Sequence, residues 1–175
     1  MLCKEPLNAL SLTNKSKLLD IYRASDWVKH TEKKGAILYK RPSPHSPIHQ
    51  VRLEIVVNRP VSDVFSFLAD PSNNPLVEPS MEELKEILDF STNSKRIRLL
   101  HVKYQLPVVS NREAVVCVFD SEEDDQYILG SCSLDPSSVN ITISHKKHVW
   151  CTVHISGHIL FQKPMVVLGL LLLET

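Results

Sequence analysis

The chain has 175 residues, enough for one domain with a self-sufficient core. Apolar residues make up 43% and charged residues 23%, a globular rather than a disordered composition. Twenty basic and twenty acidic side chains cancel, which argues against a mainly electrostatic nucleic-acid binder.

Residues 4–24 read as a helix with an apolar stripe of Leu7, Leu10, Leu18, Leu19 and Tyr22, weakened at Asn14 and Ser16. Trp27 opens a short extended segment. Lys33-Lys34-Gly35 turns the chain into a second strand at 36–41. Three prolines make 41–47 a loop. Residues 48–57 form a strand in which Val51, Leu53 and Ile55 alternate with Arg52, Glu54 and Val56. Pro60 suits position N1 of a helix whose face is Val61, Val64, Phe65 and Leu68. Residues 71–79 are loop. Residues 80–90 are ambiguous: Leu84, Ile87 and Leu88 have helical spacing, while Leu84, Glu86, Leu88 and Phe90 could alternate in a strand. Strands follow at 95–104, 112–120, 126–134 and 148–161. The acidic run 121–125 is a turn, and 135–147 a polar connection. A helix, three strands, a helix and a run of antiparallel strands is α+β.

The four glycines are too far apart for a phosphate-cradling loop, and the four cysteines form no C-x-x-C pair. No cofactor and no metal is expected. His148, His154 and His158 would share a strand face, but 148 and 154 would lie about 20 Å apart at roughly 3.3 Å per residue. With no signal-peptide core and no run of about 20 apolar residues, a cytoplasmic protein with reduced thiols is expected. Lys95-Arg96-Ile97-Arg98 is the densest basic cluster. It reads first as a charged strand edge, and second as a contact for an anionic membrane surface. Several strands are apolar on both parities (Leu99-Leu100, Val115-Val116, Ile128-Leu129), so both sheet faces need cover. A helix on one face and a hydrophobic ligand on the other would supply it.

The run Asp26-Trp27 followed by Lys33-Lys34-Gly35-Ala36-Ile37-Leu38-Tyr39-Lys40-Arg41 resembles the opening of a START domain, the lipid-transfer module related to the steroidogenic acute regulatory protein. So do Val51-Arg52-Leu53-Glu54 and Pro60-Val61-Ser62-Asp63-Val64-Phe65. Pro107-Val108-Val109-Ser110-Asn111-Arg112-Glu113 is similar to the family's P-x-S-N-R-D turn, with Glu113 in place of Asp. Gly157 and Pro164 resemble its later glycine and proline. The likeness covers residues from about 4 to 164.

The resemblance implies a helix-grip fold, in which a curved antiparallel sheet wraps a C-terminal helix around a tunnel for one lipid, such as a sterol, phospholipid or ceramide. It implies a strand, not a helix, near 84–90. Binding and transfer rather than catalysis are implied, with a lipid ligand, transient contact with a membrane surface and no nucleic acid. Three departures stand out. Asn74-Pro75-Leu76-Val77-Glu78 replaces the family's W-D. Val118 stands where some sterol-binding members carry a buried arginine. After Pro164 the sequence reads MVVLGLLLLET, too short for the lid helix. The domain is therefore expected to span 1–164 incompletely, with 165–175 as an apolar tail. By strand parity with Val118, Ala114 and Val116 are expected to face the lipid, joined by Leu99 and His101 of the preceding strand. An enzyme on the same fold would need His101, His154 and Cys151 to converge. A remnant acting through protein contacts is the other alternative.

Overall fold

The structure, a computed structural model, describes residues 4–43, 49–91, 96–105, 110–123, 126–135, 148–161 and 166–174. A helix, α1 (Lys4–Arg23), leads into strands β1 (Val28–Lys33), β2 (Ala36–Arg41) and β3 (Gln50–Val56). Helix α2 (Val61–Ala69), a 3-10 turn (Pro71–Asn73) and the four-residue α3 (Asn74–Val77) follow. The remaining strands are β4 (Met81–Asp89), β5 (Ile97–Tyr104), β6 (Asn111–Glu123), β7 (Gln126–Ser133), β8 (His148–Trp150), β9 (Thr152–Phe161) and β10 (Val166–Glu174). They form one curved sheet in the order β1-β2-β3-β10-β9-β7-β6-β5-β4, with β8 attached to β6. The β6–β8 pair is parallel, and the other pairs described are antiparallel. The α+β class is therefore as expected.

Local chemistry explains most boundaries. The β1–β2 hairpin turns on Lys34 and Gly35, both at positive φ (53° and 79°), the conformation that matches a two-residue turn to strand twist. Pro60 is the N-cap of α2 rather than its first helical residue, and its carbonyl accepts from the N–H groups of Asp63 and Val64. The expected loop at 71–79 holds two short helical turns. Asp70 caps the first by accepting from the Ser72 N–H at 2.9 Å.

Three stretches depart from the alternation read in the sequence. In β4 the partly buried residues are Met81, Leu84 and Ile87, a spacing of three. Register shifts between Met81 and Glu83 and between Glu86 and Leu88 produce it. The helix-like period is thus written by bulges in an edge strand, because each extra residue flips the next side chain. The expected strand at 148–161 is two strands, broken at Cys151. A further shift at His154 lies between the β9 pairings of Ile155 and Val153 with β10. Residues 166–174, expected as a tail, form β10, which joins β3 on one side and β9 on the other.

Helix α1 covers one face of the sheet. Leu7, Ser11, Asn14 and Leu18 are its buried stripe, at the i, i+4, i+7, i+11 spacing of a helix face. Leu7 packs with Ile97, Cys117, Phe119 and Cys132, and Leu18 with Ile128, Ile155 and Ile159. Asn14 is buried without penalty because its amide donates to the Leu10 carbonyl and to Cys132 Sγ at 3.1 Å. Gly157 allows the close seat: a Cβ there would lie 2.9 Å from Leu18 Cδ2 and 2.3 Å from the Leu129 carbonyl oxygen. At the end of α1, Arg52 of β3 sits within cation–π distance of Tyr22, Trp27 and Tyr39 and donates to the Tyr22 carbonyl.

Candidate functional site

The opposite face of the sheet, together with α2 and α3, forms a half-open cavity of about 420 Å³. Its wall is mainly aliphatic: Leu38, Val51 and Leu53 from β2 and β3, Leu100 and Val102 from β5, Val116 and Val118 from β6, Val153 from β9, and Leu68 from α2. Buried Leu129 and Leu160 pack against Val61 and Ala69 of α2, which fixes that helix over the sheet. Leu100, Val102, Ala114, Val116, Cys151 and Val153 form a continuous apolar cluster on the same side.

Asn74 and Glu78 at α3 border the cavity, and the polar groups on the sheet are placed by register. Arg98 pairs across β5–β6 with Val118, Val118 across β6–β7 with Ser131, and Ser131 across β7–β9 with Ser156. All four line the cavity, so they form one row transverse to the strands. His158 lies in the next row, opposite Leu129. Its Nδ1 is buried with no hydrogen-bond partner among the described residues. Burial holds its imidazole below the ordinary pKa of 6.5, so the ring is neutral. Arg98 donates from Nη2 to the Ala69 carbonyl at 2.9 Å, tying the end of α2 to β5. Burial pushes the Tyr104 phenol, also in the wall, above its ordinary range.

The residues singled out from sequence separate by face. Val116 and Val118 line the cavity, and Ala114 lies in the apolar cluster beside them. Leu99 and His101 are on the far face, because the β5–β6 register sets Leu100 and Val102 opposite Val116 and Ala114. Leu99 is fully buried there, and His101 Nε2 lies 3.2 Å from Glu113 Oε2. Glu113 is completely buried. The three groups considered for catalysis do not converge. His101 faces Glu113, while Cys151 packs on the cavity side with its thiol pushed up by burial, and His154 occupies the register shift of β9. His148 pairs instead with Glu82 at 3.0 Å. Among the described residues no group of three potential metal ligands comes together. The basic run is also dispersed: Ile97 is buried, Arg96 pairs with Asp120 at 2.6 Å, and Arg98 turns inward. Lys95 and residues 107–109 of the P-x-S-N-R-D-like turn lie outside the described residues.

Sequence reasoning missed Arg98, Ser131, Ser156 and His158. Ser131 and Ser156 gave no signal until the strands were in register, and His158 read as a polar strand position.

Human StAR-related lipid transfer protein 5 superposes on this chain with a TM-score of 0.84 at 14% identity, covering 98% of this chain and 84% of that one. The chain has the START-domain fold. Human STARD10 matches with a TM-score of 0.74 at 14% identity, over 92% of this chain and 66% of its own. A STAR-related lipid transfer protein from Xanthomonas axonopodis matches at 0.67 and 15% identity, over 86% of this chain and 83% of its own. No family model and no curated protein matches the sequence. At these identities the START likeness is one of fold, and the cavity wall is this chain's own.

Proposed function

We propose that the chain binds a single lipid in the cavity and carries it between membranes, without catalysing a reaction. The observation that carries this reading is the aliphatic wall of a 420 Å³ cavity on the sheet face opposite α1. That volume falls in the range of about 300–1,000 Å³ typical of small-molecule sites. The START fold supports it, since two of the matching structures are lipid transfer proteins by name.

Transient membrane contact is supported beside the cavity. Leu68 and Val77 line it, while Phe67 is 42% and Leu76 73% exposed on the same short helices. Apolar side chains standing out beside a lipid cavity favour a bilayer surface. The zero net charge weighs against nucleic acid as a partner. A cytoplasmic location follows from this reading of membrane-to-membrane carriage. None of the described helices is long and apolar enough to cross a membrane.

The test is native mass spectrometry after incubation with vesicles of cholesterol, phosphatidylcholine and ceramide, followed by transfer between donor and acceptor vesicles. One lipid per chain and transfer above the spontaneous rate are expected. Failure to retain any of the three would remove this reading and leave a role through protein contacts.

A further inference from the structure

Three polar side chains stand in the otherwise aliphatic wall. Ser131 and Ser156 face each other across β7 and β9, and His158 lies two residues along β9 on the same face. The His158 Nδ1 is buried with no hydrogen-bond partner among the described residues, and the two serines are half-buried in the wall. Buried polar groups are nearly always hydrogen-bonded, and each exception calls for an explanation, such as a functional role, a water or an ion. The adjoining wall positions Val118, Leu129 and Val153 are aliphatic.

Resting on the lipid-binding reading, we propose that Ser131, Ser156 and His158 form the polar anchor of the cavity. We further propose that the lipid it selects presents an uncharged hydroxyl group. A hydroxyl is one donor and two acceptors, and a neutral imidazole nitrogen with two serine hydroxyls offers the complementary set. A phosphate at this position would need a cation. Arg98 is in the same row, but Val118 stands between it and Ser131. That separates Arg98 from the serine by two strand spacings, roughly 10 Å. Its guanidinium is already engaged with the Ala69 carbonyl.

The probes are cholesterol, its 3-methyl ether and phosphatidylcholine, with binding to the full chain read by native mass spectrometry. The ether keeps the ring system and the acceptor oxygen but has no proton to donate. The wild-type chain is expected to prefer cholesterol to the ether by about tenfold, the loss of one well-placed hydrogen bond. His158→Leu should weaken cholesterol binding by a similar factor and leave the ether nearly unchanged, whereas Ser131→Ala with Ser156→Ala should weaken both, because the ether oxygen still accepts from the serine hydroxyls. His158→Gln, which can still accept, should keep most of the preference. If His158→Leu does not fold, the near-isosteric serine pair still decides the matter, because its loss must weaken cholesterol and the ether together. Equal affinity of the wild type for cholesterol and ether overturns the anchor. So does a preference for cholesterol that survives His158→Leu, or cholesterol binding that the serine pair of substitutions leaves unchanged. Binding of phosphatidylcholine in preference to cholesterol overturns the anchor but leaves lipid binding standing. Binding of none of the three probes overturns both.

Discussion

At the scale of single residues, faces of one strand separate two kinds of burial. Val115 and Val116 are adjacent and both buried, yet Val116 borders the cavity and Val115 points to the other face. A carboxylate at either position is costly, by several kcal/mol where nothing pairs or hydrates it. At 116 the cavity has room for water, and at 115 the packing has none. Val116→Asp is therefore expected to fold with a reduced melting temperature and to lose lipid loading, while Val115→Asp fails to fold. Thermal melts and native mass spectra on both variants check this, and the reverse pattern would mean that the cavity is on the other face. His158 gives a pH signature. Burial depresses its folded pKa below the ordinary 6.5. It is flanked by Leu129 and Gly169, and the charged groups of the same cavity are Arg98 and Glu78. The unfolded chain then binds the proton more readily. The stabilisation is complete above the unfolded pKa and is lost as pH falls through the folded one. Wild-type melting temperature should drop more steeply than that of His158→Gln between about pH 7 and 5. Parallel profiles would show that this imidazole is solvated.

At the scale of elements, the joint between α1 and the sheet depends on a missing side chain. A Cβ at Gly157 would press on the Leu129 carbonyl oxygen, a backbone atom that cannot swing away, as well as on Leu18. Gly157→Ala should cost about 1–3 kcal/mol, the usual penalty of overpacking. It would be seen as a lower urea midpoint, and an unchanged midpoint would show that α1 does not seat on β9. Elements with a recognisable pattern were legible in the sequence: α1, α2, the β1–β2 hairpin and β3 all lie within a few residues of where their patterns placed them, although the buried stripe of α1 runs through Ser11 and Asn14, which read as weak points or not at all. Those with bulges were not. Residues 80–90 spell a helix because two extra residues in β4 convert a period of two into three. The strand read across 148–161 hid a break at Cys151 and a shift at His154. The cavity was half legible for a related reason. Parity within β6 put Ala114, Val116 and Val118 on one side, but nothing local fixes the register between β5 and β6. Leu99 and His101 were accordingly placed on the wrong face, and Arg98 and Leu100 overlooked.

At the scale of the whole molecule, β10 is the bridge between two half-sheets. Among the described residues, β1–β3 meet β9 and the strands beyond it solely through β10, which pairs with both sides along most of its length. Proline in a central strand removes a ladder hydrogen bond and clashes with its neighbours. Leu170→Pro, placed between the partners Arg52 and Gly157, should therefore uncouple the halves. Amide exchange in β1–β3 is expected to rise sharply while β5–β7 stay protected. Uniform loss of protection would mean that the sheet opens as a single cooperative unit. The same arrangement bears on the chain as it is made. Of the ten described strands, β10 is the last to leave the ribosome, yet it belongs in the middle. The β1–β3 meander and the strands from β4 to β9 must wait side by side, each with one raw edge, until it slots between them. A cavity whose wall draws on both halves cannot exist before that moment, so a nascent chain has no lipid site to fill, and such an edge is what a chaperone would guard.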